Sequence, residues 1–199
     1  MAGTGVTLLE ADGEVLLAAV RRLLEAKGIA STAEIAERIE VTDRASPGQG
    51  ARMVARAWTD PDYRALMIED GSKAAEMLGI PMRGMPPLGV LENAPGLHHL
   101  VVCTLCSCYP WAVLGLPPTW YKSAPYRARA VKDPRGVLRE FGVELPESVR
   151  IRIWDSTAEV RYLVVPRRPA GTQHLSESDL AALVTRDSMI GTGLPRAPL

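Results

Sequence analysis

All three cysteines of this chain, Cys103, Cys106 and Cys108, lie in the six-residue run CTLCSC. An odd, crowded set of this kind cannot be a disulfide framework. The spacings C-x-x-C and C-x-C overlap, so the thiols can converge on one point only if the chain curls round it in a tight loop. The same curl turns the peptide N–H groups of Ser107 and Cys108 inward. A metal ion at the centre would meet three thiolates and two amide nitrogens, provided it is acidic enough to displace amide protons. Zinc is poorly suited to that, whereas Co(III) or Fe(III) in a strong-field octahedral site is well suited. Five protein donors leave a sixth position open to water or substrate, which is the arrangement of a Lewis-acid catalyst.

Two blander readings compete. A structural zinc site of three cysteines and one histidine would recruit His98 or His99, but such sites take paired cysteines from separated hairpins, and three ligands in six residues would strain a tetrahedron. A redox C-x-x-C would place its first cysteine at a helix N-terminus and would leave Cys108 surplus. His98 and His99 fall in a strand-like run where one is expected to face solvent and the other to pack, so neither is given a catalytic role.

The remaining composition narrows the function class. Lys+Arg 23 balances Asp+Glu 23 in 199 residues, and no block of like charge occurs. That gives no electrostatic basis for binding nucleic acid or an anionic membrane. Apolar stretches such as 97–102 and 160–165 fall far short of the ~20 residues that span a bilayer. No basic segment precedes an apolar run in MAGTGVTLLEADGE, so no secretory signal is expected and cytoplasm is the expected compartment.

Local patterning predicts helices first and strands later. Leu16, Leu17, Val20, Leu23 and Leu24 have helical spacing ahead of Lys27-Gly28, which predicts a helix over 13–27. Ser31 and Glu34 form a capping-box pattern for a helix over 32–40. Ser46-Pro47 and Asp60-Pro61 open two more helices, and 72–78 closes at Gly79. Strands are predicted at 88–92 and 97–103 around an NAPG turn, the second leading into the cysteines. Helical segments come next at 118–130 and 134–141. The alternation in VRIRIWD, the turn STAE and the run VRYLVVP predict a hairpin or two adjacent strands, and Ser176 with Asp179 caps a last helix over 177–185. The tail GTGLPRAPL carries no core pattern. The expected division is a helical N-terminal arm, 1–80, and an α/β metal-binding body, 85–199.

The stretch CTLCSCYPW resembles the metal-binding signature of nitrile hydratase α subunits. GARMVARAWTDPDYR, LENAP, VLGLPPTWYKS, YRARAVKDPRGVL, DSTAEVRYLVVP and RPAGT are similar to further blocks of that family in the same order, from about residue 14 to 193. The resemblance implies an α/β (α+β) fold, a helical N-terminal arm on a layered α-β-β-α sandwich-like body. It implies that Cys103, Cys106 and Cys108 ligate the metal with the amides of Ser107 and Cys108. Cys103 is then an unmodified thiolate, Cys106 a sulfinic acid and Cys108 a sulfenic acid. Oxidation of such thiolates follows the first steps of the sulfur ladder, and the oxygens gained accept hydrogen bonds. The donors that hold them are implied to be arginines of a β subunit, as one chain or split into two, contacted by helices 13–40 and the tail after 190; a metal-delivery activator protein is a further implied partner. Thr104 and Tyr109 match the cobalt type, with non-corrin Co(III) expected and Fe(III) the alternative. The implied reaction is hydration of a small-molecule nitrile to the amide, with Cys106 and Cys108 as catalytic residues. Whether the Cys108 sulfenate, an activated water or a metal-held hydroxide attacks is left open. Trp111 either walls the substrate pocket or packs in the core. The loop GIPMRGMPP lacks a glutamine found in some members, and Ala112 stands where many have proline. The metal subunit of thiocyanate hydrolase is similar too, but it has arginine where this chain has Trp111, which favours a neutral nitrile. A non-catalytic metal-binding assembly module is the alternative from another class.

Overall fold

A computed structural model describes residues 10–198 other than Ser107. The chain divides into two compact units, at Asp43 and Arg44. In the first, α1 (Glu10–Ala26) ends where Gly28 takes a φ of 62°. The Ile29 N–H then reaches back to the Leu24 carbonyl at 2.9 Å, satisfying a terminal acceptor. Helix α2 (Thr32–Arg44) opens with the predicted capping box: Ser31 N–H donates to Glu34 Oε2 at 2.7 Å and Glu34 N–H to Ser31 Oγ at 3.2 Å. No α2 residue is buried, and Val15, Leu16, Leu17, Val20 and Leu23 of α1 are exposed.

The second unit holds the core. Helices α3 (Pro47–Thr59), α4 (Pro61–Glu69) and α5 (Gly71–Met77) follow one another closely because single residues end one helix and cap the next. Asp60 accepts from the Asp62 and Tyr63 amides, and Asp70 from that of Lys73. Helix α3 packs on α9 (Glu177–Leu183), and α4 and α5 pack on β1 (Leu88–Glu92). Strand β2 (Leu97–Val102) precedes the cysteines; α6 (Trp111–Leu114) comes after them. The helical segment predicted over 118–130 is broken into a 3-10 turn (Thr119–Lys122) and α7 (Ala124–Lys132), since Ser123 caps α7 and Pro125 lies in its first turn. Helix α8 (Pro134–Glu140) leads to β3 (Arg150–Asp155) and β4 (Arg161–Val165).

The second strand pair is not a hairpin. Strand β3 runs parallel to β2, with Leu97 opposite Arg150 and Val102 opposite Asp155, while β4 runs parallel to β1, with Leu88 opposite Arg161. The STAE turn is real, the Thr157 N–H reaching the Val160 carbonyl at 3.0 Å, but it passes the chain from one two-stranded sheet to the other. Burial decides this. Successive buried residues in β2 and β4 suit parallel strands covered on both faces.

The residues that lead into the tail belong to this core as well, with Gly191 and Thr192 of the tail itself. The Met189 carbonyl accepts from Val164 of β4 and the Ile190 carbonyl from Val101 of β2, each at 2.8 Å, so one segment ties the two sheets together. Gly191, with φ at 89°, comes immediately after, and a side-chain carbon there would run into the His99 carbonyl. The family-type mixed fold expected from the blocks of sequence is the fold observed, with small parallel sheets between helices.

Candidate metal centre

Strand β2 delivers the chain to the cysteines, and its neighbour β3 anchors the start of their loop. Because Val102 is in register with Asp155, that carboxylate stands beside the first residues of the loop. It accepts the Thr104 N–H at 2.9 Å and also the Thr104 hydroxyl. From the other side, Arg127 in the first turn of α7 donates to the Cys106 carbonyl at 3.2 Å. Behind the loop, Tyr121 is wholly buried, and its hydroxyl donates to the Cys108 carbonyl at 2.9 Å. Thr104, Leu105 and Cys106 lie in solvent, whereas Cys103 and Cys108 are buried.

The three sulfurs converge. All pairs of Sγ atoms are within 4.8 Å; Cys103 to Cys106 is 3.4 Å and Cys106 to Cys108 is 3.0 Å. With metal–sulfur bonds of ~2.3 Å, sulfurs at a right angle stand about 3.3 Å apart and sulfurs at the tetrahedral angle about 3.8 Å. The two close pairs fit the right angle, so the donor set suits an octahedral ion better than zinc. The Cys106 N–H donates to Cys103 Sγ at 3.2 Å, closing the first turn of the loop. Burial, reinforced by the neighbouring sulfurs, pushes the Cys108 thiol up to about 12, while the charge of Arg161 acts the other way. A cation that displaces the protons is what turns such a cluster into thiolates. Ser107, predicted to offer its amide, lies outside the described residues.

Neither histidine can complete a zinc tetrahedron. His98 and His99 are both buried, which corrects the expectation that one faces solvent, and the reason is the parallel pairing of β2. His98 Nε2 lies 2.7 Å from the Gly191 carbonyl and Nδ1 3.2 Å from the Asn93 amide nitrogen. The Trp154 N–H donates to His99 Nδ1 at 2.8 Å. Burial pulls both imidazoles below the ordinary histidine range. The redox reading fares no better, because Cys103 follows a strand rather than opening a helix.

Trp111 is half-buried at the start of α6 and lines a small apolar pocket with Met82, Met85, Tyr109, Pro110 and Arg161. One guanidinium nitrogen of Arg161 is buried there without a hydrogen-bond partner. Asp155, Tyr121, Arg127 and Arg161 all lie in the sequence blocks that carry the family resemblance. Nothing in their spacing to the cysteines marked them, since 13 to 58 residues of sequence separate them from the loop's ends.

With this geometry in view, comparison with known proteins is specific. The family model described as nitrile hydratase, alpha chain, matches residues 11–193. A low-molecular weight cobalt-containing nitrile hydratase subunit alpha from Rhodococcus rhodochrous is 51% identical over 181 residues, 90% of this chain and 87% of that one. Thiocyanate hydrolase subunit gamma from Thiobacillus thioparus is 44% identical over 196 residues, 93% of this chain and 81% of that one. Among solved structures, a double mutant of the Fe-type nitrile hydratase from Comamonas testosteroni Ni1 superposes with a TM-score of 0.77 at 41% identity, over 94% of this chain and 92% of that one. The chain that carries this three-sulfur loop belongs to the nitrile hydratase alpha-chain family.

Proposed function

We propose that this chain is the metal-holding catalytic α subunit of a nitrile hydratase, adding water to R–C≡N to form R–CONH₂. The convergence of Cys103, Cys106 and Cys108 carries the reading, and the similarity to a cobalt-containing nitrile hydratase subunit alpha supports Co(III) as the ion, with Fe(III) as the alternative. Cys103, Cys106 and Cys108 hold the metal through sulfur, and the amides of Ser107 and Cys108 complete the set. The bound ion supplies Lewis acidity toward the nitrile. Cys106 as a sulfinate and Cys108 as a sulfenate present oxygens that accept hydrogen bonds, and the attacking group is either the Cys108 sulfenate or an activated water. Tyr121 and Asp155 fix the loop that carries these sulfurs, and Trp111 is the candidate wall for an apolar R group. The working protein includes a β subunit, as one chain or two, whose donors hold the cysteine oxygens. The exposed apolar face of α1 is the segment offered to that partner, while the unit from Arg44 onward is the catalytic body. An activator protein delivers the metal, and the site of action is the cytoplasm.

The relation to thiocyanate hydrolase gives the second reading. Trp111 favours the nitrile, because an indole suits a neutral substrate better than an anion. The test is turnover of the cobalt-loaded complex on acrylonitrile and on thiocyanate. Amide formation from the nitrile supports the proposal; hydrolysis of thiocyanate without nitrile turnover overturns it.

A further inference from the structure

The structure assigns Arg127 as a positioning residue: it clamps the arch of the cysteine loop from the α7 side and keeps the thiols converged before any metal arrives. This inference rests on the proposed metal site. The arch from Thr104 to Cys106 lies in solvent, and Leu105 at its tip is 86% exposed. No hydrophobic burial therefore holds it, and its shape depends on polar contacts. Asp155 on β3 takes the donors of Thr104, both N–H and hydroxyl. Arg127 takes the acceptors, one guanidinium nitrogen reaching the Cys106 carbonyl at 3.2 Å and the Thr104 carbonyl at 3.5 Å. The two side chains thus grip the same short arch through opposite halves of its peptide groups.

Arg127 is itself rigidly placed. Its neighbour Tyr126 is buried and donates from its hydroxyl to the Val101 carbonyl at 2.8 Å, on the strand that feeds the loop. Tyr126 also packs edge-on against Trp120 and Phe141, at 4.9 and 6.2 Å between ring centres. The first turn of α7 is therefore locked to β2, and the guanidinium bridges that turn to the arch. Its Nε is buried without an acceptor, so the group is inserted beside the loop rather than lying along the surface. Both carbonyls are reached from the one nitrogen Nη1, and the rigid plane of a guanidinium fixes that nitrogen more firmly than the flexible stem of a lysine fixes its ammonium.

The test uses the full chain as the parent protein and as Arg127→Gln and Arg127→Lys. Metal-free protein is offered a monosubstituted trivalent arsenical, which bonds two thiols only when they lie together, and capture is followed by mass. The same proteins are then loaded with cobalt and challenged with a chelator. We expect Arg127→Gln to capture the arsenical and to bind cobalt about tenfold more weakly. Arg127→Lys should fall between, about threefold below the parent. Melting of the metal-free variants should remain close to the parent, which separates a clamp from a general structural role. Parent-like capture and cobalt binding by Arg127→Gln overturns the clamp. Should Arg127→Gln fail to fold, parent-like capture by Arg127→Lys overturns it equally. A parent that captures the arsenical but binds no cobalt defeats the proposed function and leaves the clamp to be judged on the arsenical alone.

Discussion

Replacing Tyr121 by phenylalanine removes one oxygen from the wall behind the cysteines and little else. The ring is fully buried and packs edge-on against Tyr109 at 5.0 Å and Trp120 at 6.0 Å, contacts that phenylalanine keeps. The hydroxyl's role is its 2.9 Å hydrogen bond to the Cys108 carbonyl. Tyr121→Phe leaves that carbonyl without its donor in a buried setting, which costs about 1–3 kcal/mol. For a chain of this size each kcal/mol lowers the melting temperature by about 2–4 °C. The metal-free chain should therefore melt roughly 2–12 °C lower, the range being the product of those two estimates. The lost bond is also the tether of Cys108, so arsenical capture by Cys106 and Cys108 should slow in the same protein. Thermal melting by circular dichroism and mass-resolved thiol capture read the two effects. A melting temperature within about 1 °C of the parent, with unchanged capture, would show that the hydroxyl does not hold the Cys108 carbonyl.

The same geometry has other consequences. Gly191→Ala forces a left-handed backbone on alanine and drives its side chain into the His99 carbonyl, so stability should fall by at least about 3 kcal/mol in urea denaturation; a loss under about 1 kcal/mol would contradict the close approach. His98 and His99 are held below the ordinary histidine range by burial, with Arg152 adding to the effect on His99. As pH falls below about 6.5 the unfolded chain binds protons before the native one does, so stability is complete above that pH and declines below it, by up to ~1.4 kcal/mol per pH unit for each histidine. Denaturation midpoints that stay level from about pH 7 to pH 5 would show that the imidazoles are not held neutral by the fold.

Local chemistry was readable where one residue type does one job. The capping boxes at Ser31 with Glu34 and Ser176 with Asp179 form as expected, because their partners are three residues apart. The cysteine cluster was readable for the same reason. Strand pairing was not, since VRIRIWD alternates as an outer hairpin strand would, and its partner β2 lies some 50 residues earlier in sequence. One of the two histidines was misplaced on that account, the burial of the pair being set by β3 and by Gly191 of the tail. Asp155, Tyr121 and Arg127 reach the loop through the tertiary fold, and no local pattern distinguishes them from ordinary surface or core residues.

In the proposed function these three sulfurs form a site for a trivalent ion and become unequal by oxidation. Elemental analysis of the chain purified with its partner from cobalt-supplemented cells, together with tandem mass spectrometry of the 97–122 region, measures both parts at once. The expected result is cobalt near one per chain, Cys103 unmodified, two oxygens on Cys106 and one on Cys108, about 48 Da in all before any loss of the labile sulfenic oxygen. Zinc in the site with three plain thiols in active protein would contradict it.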